Sequence, residues 1–196
     1  MEETKEMKQE REREEQEERE SNLDRWKNEK EEVERRINEL SGKQIQEIIF
    51  DSEINKWNEN DSEFDTIMKG KKDVIVLVED EKQNLFGGYI GNEIEIEKDM
   101  KDKSCYVFSL KKNGEFNLKK YERNNIGYSY LISSDAFNFL MSFGTTDDDY
   151  KDITLNKKDY SSGSCCQCCY NYNNEEFVLC GKYNFNIKRI VVYQLN

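Results

Sequence analysis

The chain of 196 residues contains no histidine and no proline. Without histidine it has neither the side chain that most often moves protons near neutral pH nor the commonest metal ligand. Ser-His-Asp and Cys-His nucleophilic pairs therefore cannot be assembled within it. The missing proline, beside abundant Asn, Lys, Ile and Glu, reads as a codon bias rather than a structural device. No run of about 18 apolar residues occurs, so no transmembrane helix is predicted. The start, Met1-Glu-Glu-Thr-Lys5, has neither a basic nor an apolar stretch of the kind a signal peptide needs. Glu2 stands where N-myristoylation requires glycine, and the closing Val-Tyr-Gln-Leu-Asn196 is no prenylation box. The expected location is the cytoplasm, where six cysteines should stay reduced. G-x-G-x-x-G, Walker and G-x-S-x-G patterns are also missing, so no cofactor and no catalytic residue is expected.

Charge is abundant and one-sided. With 42 acidic and 30 basic residues the formal net charge is −12. Nucleic-acid affinity rests on Lys and Arg meeting phosphates, so an acidic chain without a basic stripe is not expected to bind nucleic acid. Anionic membrane surfaces are disfavoured for the same reason.

The charge is unevenly spread. Residues 1–41 carry 16 acidic and 10 basic side chains with very few apolar ones. They lack Gly and Pro and consist of good helix formers. Opposite charges recur at helical spacing, as in Glu15/Arg19, Glu31/Arg35 and Glu32/Arg36. From Leu23 onward an apolar seam emerges, with Leu23, Trp26, Val33, Ile37 and Leu40 at a and d positions and Lys30 at one a position. This seam offers two outcomes: self-association with another chain, or folding back on the rest of the protein. Ser41-Gly42 ends the helix. Residues 1–42 are thus expected to form a long charged helix or short coiled coil, and residues 43–196 a domain large enough to bury a core.

That domain reads as a series of short strands. Ile45–Phe50 is a strand or short helix, and Asp51-Ser52 resembles a helix N-cap. Ser62–Met68 looks like a helix ending near Gly70. The apolar run within Asp73–Asp80 predicts a strand buried on both faces. Leu85–Ile90 is its hairpin partner, with Gly87 and Gly88 marking a bulge or close packing. Ile94 and Ile96 alternate with Glu93, Glu95 and Glu97. Cys105–Leu110 and Phe116–Tyr121 flank an Asn113-Gly114 turn, a strong hairpin signal. Tyr128–Ile132, Phe137–Phe143, Ile153–Leu155, Cys165–Tyr172, Phe177–Cys180 and Ile187–Leu195 follow, the last apolar enough to be central. The predicted class is α+β, mainly β: a two-sheet antiparallel β-sandwich with a few short helices, preceded by the charged helix.

The order of these segments resembles the TLDc domain of oxidation-resistance proteins, over about residues 44–195. The resemblance is carried by Ile48-Ile-Phe-Asp-Ser52, Phe64 with Ile67, Val74–Asp80 leading to Phe86-Gly87, Cys105–Leu110, Phe143-Gly144, Asp152-Ile-Thr-Leu155 and Val191-Val-Tyr193. It implies a β-sandwich with a pair of helices and no established catalytic centre. It also implies an association with protection from oxidative stress and with binding and regulating the vacuolar proton-pumping ATPase. Two departures stand out: the segment Phe137–Ser142 has no glycine where many members are glycine-rich, and the cysteine cluster goes beyond the family pattern.

That cluster, Cys165-Cys166-Gln167-Cys168-Cys169, holds two overlapping C-x-x-C spacings. Three readings are open. The thiols could be small buried apolar groups, oxidation-sensitive thiols, which would need exposure, or metal ligands supplemented by Cys105 or Cys180. Four ligands within five residues strain a zinc tetrahedron, and no metal site is expected. The acidic run Asp147–Asp149 with Asp152 lacks the calcium-loop spacing and reads as a solvated loop. Glu79-Asp80-Glu81 reads as the polar end of a hairpin. Lys111-Lys112 and Lys119-Lys120 put basic residues on one hairpin that an acidic partner could meet. The function expected is a non-enzymatic interaction module; the alternative is a thiol-based redox-responsive protein using Cys165, Cys166, Cys168 and Cys169.

Overall fold

The computed structural model describes residues 29–124, 126–134, 138–148, 150–160 and 162–196, with Glu10, Arg13, Glu17, Trp26 and Lys27. The elements in chain order are helix α1 (residues 29–41), β1 (Ile45–Asp51), β2 (Trp57–Asn58), β3 (Asp61–Ser62), α2 (Phe64–Met68), β4 (Val74–Asp80), β5 (Leu85–Ile90), β6 (Tyr106–Lys112), β7 (Glu115–Glu122), β8 (Tyr128–Ile132), β9 (Phe139–Thr145), β10 (Ile153–Asn156), β11 (Ser162–Ser164) and β12 (Asn184–Leu195). Trp26 and Lys27 are helical as well. Of the expected helix before Trp26, only Glu10, Arg13 and Glu17 are described, so one long helix from residue 2 is not supported. Leu23 and Phe137 lie outside the described residues.

Ten strands join in one antiparallel sheet, ordered β7-β6-β5-β4-β12-β11-β10-β9-β8, with β1 added on β12. The run Val74–Asp80 is buried along its whole length, as expected of a strand covered on both faces. Its alternate residues serve two cores. Val74, Val76 and Val78 join Phe86, Val107, Tyr130, Phe143 and Leu155 in the main cluster. Ile75 and Leu77 join Tyr89, Phe108, Val191 and Tyr193 in the second.

Strand β12 links the two halves of the sheet. Its first residues, Asn184–Asn186, pair with β11, while Ile187 onward pairs with β4 and Val191–Leu195 also takes β1 on the other side. The last strand is therefore central, as its apolar sequence predicts. The inner faces of β4–β6 and of β8–β10 contribute to one cluster, so the sandwich expectation is met in part, by a single sheet whose halves share a core. Their approach is close at Gly88, where a Cβ would lie 2.4 Å from the Phe143 ring.

The apolar seam of α1 covers the outer face. Trp26, Val33 and Ile37 are buried in the second cluster and Leu40 packs against it. Burial of each such large side chain stabilises by about 1.5–3 kcal/mol. Lys111 on β6, itself buried, donates to both carboxylate oxygens of Glu29 at 2.8 and 2.9 Å. Arg189 on β12 stacks 4.5 Å over Trp26 and donates through Nε and an Nη to Asp51. Gly42 ends the helix, its N–H donating to the Asn38 carbonyl. Of the side chains that could mediate self-association, Trp26, Val33, Ile37 and Leu40 fold back on the sheet within the chain, and Leu23 lies outside the described residues.

Several local expectations change. Asp51 ends β1 rather than capping a helix, and its carboxylate takes the Glu53 N–H and Arg189. The alternation around Ile94 forms no strand, although Ile94 is buried. Helix α2 spans five residues, and Ser62 Oγ accepts the Phe64 N–H just before it. Phe177–Cys180 forms a turn, closed by a bond from Gly181 N–H to the Phe177 carbonyl. Its apolar residues Val178, Leu179 and Cys180 plug the main core instead of pairing. The Asn113-Gly114 hairpin is as predicted, with φ of 53° and 85°.

Candidate functional site

Asp152 lies at the entry to β10 and is fully buried. Facing it is Gly144 on β9, at φ 64°, where a Cβ would fall 2.1 Å from Asp152 Oδ2 and 2.9 Å from the Cys169 Cβ. Only glycine allows both the backbone conformation and the approach. After β11 the chain returns across Asp152 as the Cys165–Cys169 loop. The Cys166 N–H reaches the Asp152 carbonyl at 3.1 Å. The carboxylate then gathers the rest: Oδ1 accepts the Cys168 N–H at 3.0 Å and the Tyr172 hydroxyl at 2.8 Å, and Oδ2 accepts the Cys169 N–H at 2.7 Å. The Cys168 thiol donates to Oδ2 at 3.1 Å. Burial pushes the Asp152 carboxyl above its ordinary range, against the pull of these donors.

The four clustered cysteines do not converge on one point. Cys165 is buried beside Cys180, with sulfurs 3.6 Å apart. Cys168 and Cys169 form a second pair, also 3.6 Å apart, on Asp152. Cys166 and Cys168 are half-buried and Cys169 is buried. Adjacent residues in an extended strand face opposite ways. Here the backbone forms a loop, which lets neighbouring thiols meet. Cys105, the other proposed supplement, is elsewhere, against the Tyr170 hydroxyl at 3.2 Å. Burial pushes the Cys105 and Cys165 thiols up, and the hydrogen bond shared with Cys169, together with burial, pushes up Cys168. Cys180 moves down, chiefly through its hydrogen bond with Cys165.

Beside the loop is an open polar cleft of about 500 Å³, edged by Asn124, Gln167, Cys168, Asn171, Asn174 and Glu175. Asn124 ties its wall, donating to the carbonyl oxygen of Cys168 at 2.8 Å. Asn173, Asn174 and Phe177 adopt left-handed φ of 54°, 61° and 49°. Asn tolerates that region readily; a phenylalanine there is uncommon.

The other sequence candidates resolve as structural. Asp80 accepts the N–H groups of Lys82 and Asn84 and the Asn84 amide, closing the β4–β5 turn. Lys111 serves α1, Lys119 pairs with Glu175 at 2.8 Å, and Lys120 lies 4.3 Å over the Tyr106 ring. Asp147 and Asp148 are exposed. Asp152, grouped with that run by sequence, is instead the buried node of the site. The signal that could have separated it is its position directly before the alternating Ile-Thr-Leu of β10.

No curated protein matches the chain in sequence. The TLDc domain family matches residues 38–196, from the last turn of α1 through every strand. That match begins before Lys43 and includes the Gly144–Asp152 contact and the cysteine loop, so the chain belongs to the TLDc domain family.

Proposed function

We propose that the chain is a non-enzymatic protein-interaction module of the TLDc type acting in the cytoplasm. Residues 43–196 form its working unit and the N-terminal helix is an accessory strap. The single observation that carries the reading is the family match over residues 38–196. The cleft supports it, since Asn, Gln and Glu side chains edge a surface held by the Asp152 node and suit a polar polypeptide. The partner in this reading is an assembly of vacuolar ATPase subunits, with regulation of the pump and protection from oxidative stress as the outcomes. Full-length protein immobilised against cytosolic lysate should retain pump subunits, and Asn174→Arg on the cleft rim should retain fewer. Absence of pump subunits from the full-length capture would sink the partner assignment.

A second reading rests on the two sulfur pairs at 3.6 Å. Peroxide would take two electrons and two protons from a pair, joining the sulfurs and leaving two waters. Thiols raised by burial react slowly, because the thiolate is the nucleophile. Alkylation followed from pH 6 to pH 10 separates the readings. The module reading expects slow labelling at neutral pH, and fast labelling of Cys168 there would favour redox sensing.

A further inference from the structure

We infer that Asp152, Cys168 and Cys169 form a binding site for a thiophilic divalent cation, zinc above all, independent of the interaction function. One ligand atom from each lies within 4.8 Å of the others. Two of the three edges lie close to those of a tetrahedron. Zn–S bonds of about 2.3 Å place two sulfurs about 3.8 Å apart, and a sulfur and a carboxylate oxygen about 3.5 Å apart. The Cys168–Cys169 sulfur separation is 3.6 Å and that from Cys168 sulfur to Asp152 Oδ2 is 3.1 Å. Along these two edges a cation needs shifts of a few tenths of an ångström to draw the atoms to bonding distance.

The surroundings supply what such a site needs. The Tyr172 hydroxyl and the Cys168 N–H fix Oδ1, and the Cys169 N–H fixes Oδ2, so the carboxylate is oriented before any cation arrives. Gly144 leaves the space in which Asp152 and Cys169 approach. Entry is from the cleft, where Cys168 is half-buried. On binding, both thiols release their protons to solvent, and two thiolates with one carboxylate face a charge of +2. The thiol bond from Cys168 to Oδ2 is replaced by two bonds to the metal. Three protein ligands leave a fourth position, on the cleft side, for water. The Cys165–Cys180 pair is separate from the site.

The test uses the full-length chain, stripped with chelator and titrated with Co²⁺ and then Zn²⁺ under reducing conditions. One cobalt per chain should bind with a thiolate-to-cobalt charge-transfer band and tetrahedral visible absorption, and zinc should displace it. Cys168→Ser, at a half-buried position where folding is readily confirmed by circular dichroism, should weaken cobalt binding and cut the band per bound cobalt to about half, since Cys169 remains the one thiolate ligand. Tyr172→Phe should weaken binding by about 10–100-fold, as loss of an orienting partner does. Cys180→Ser should leave stoichiometry and spectrum unchanged. The assignment is overturned if folded full-length protein gives no thiolate band, if Cys168→Ser leaves the band and the affinity undiminished, or if Cys180→Ser removes it.

Discussion

Two regions of this protein are held by opposite means. The outer face of β4, β5, β6 and β12 is closed by a helix through periodic apolar contacts: Trp26, Val33 and Ile37 on Ile75, Leu77, Phe108 and Tyr193. The cysteine loop is closed by one buried carboxylate that collects two backbone N–H groups, a phenol and a thiol. In the first, stability is spread over many interchangeable contacts, and loss of one methyl group is a partial loss. In the second it is concentrated, because each donor has Asp152 as its acceptor and no water takes its place without cost. The first is a docking face and the second is a node.

The sharpest way to break this contrast is Asp152→Ala. It leaves buried donors from Cys168, Cys169 and Tyr172 without their acceptor, each orphan costing about 1–3 kcal/mol. Urea unfolding should show a loss of about 4 kcal/mol, near the upper end for single substitutions. A loss below about 1 kcal/mol would mean that water replaces the carboxylate and that the node is not concentrated.

Ile37→Ala tests the other region. Truncating a fully buried isoleucine costs about 3 kcal/mol. Its signature should differ: hydrogen exchange should lose protection chiefly within residues 29–41, while the β-core amides keep theirs. Combined with Asp152→Ala, the two losses should add, since Ile37 lies in the second cluster while Cys169 and Tyr172, the partners of Asp152, lie in the main one. Uniform loss of protection across β4 and β12 would instead make the helix part of the core.

How much of this was legible follows from the same contrast. Periodicity speaks for docking faces. The unbroken apolar run Val74–Val78 announced a strand covered on both sides, and the spacing of Trp26, Val33 and Ile37 announced a helix face needing cover. The sequence could not say whether that cover was another chain, because the complementary face on β4, β6 and β12 is assembled only by the fold. The node left almost no periodic trace. Its parts, Gly144, Asp152 and Cys168-Cys169, come from three segments joined by tertiary structure, and Asp152 was hidden beside a solvated acidic run. Likewise the spacing of the cysteines suggested C-x-x-C pairs. The loop backbone instead made adjacent Cys168 and Cys169 partners and sent Cys165 to Cys180.

Alkaline pH should probe the buried thiols outside the node. The folded protein keeps Cys105 and Cys165 protonated well above the ordinary thiol range because they are buried, whereas unfolded thiols ionise near pH about 8.5. Below that pH the folded and unfolded states bind equal numbers of these protons. Above it the folded state binds more, so stability is lost as pH rises. Between pH 8 and pH 10 the loss should reach about 2 kcal/mol for one such thiol. A Cys105→Ala chain should show a shallower slope over that interval, measured by urea midpoint. An unchanged slope would show that the Cys105 thiol does not contribute.

The smallest expected effect concerns the buried ammonium of Lys111, which pairs with Glu29 on the helix. Lys111 has both oxygens of Glu29 within hydrogen-bond reach and the Phe116 ring 5.5 Å away. Glu29→Gln keeps one acceptor but removes the counter-charge, leaving the ammonium buried against a neutral amide. Glu29 is partly open to water, which offsets much of that cost, so a loss of about 1 kcal/mol is expected. Salt should distinguish charge from shape: added chloride should weaken the native chain more than the variant. The double change Glu29→Leu with Lys111→Met goes further. If the pair contributes chiefly net stability, the double variant should be weaker than the native protein. If it chiefly fixes where the helix sits, stability should hold or rise while exchange protection over residues 29–41 becomes uneven. The second outcome is the expected one, because desolvation of the buried ammonium cancels most of its attraction to Glu29, whereas the apolar contacts of Val33 and Ile37 carry the docking energy.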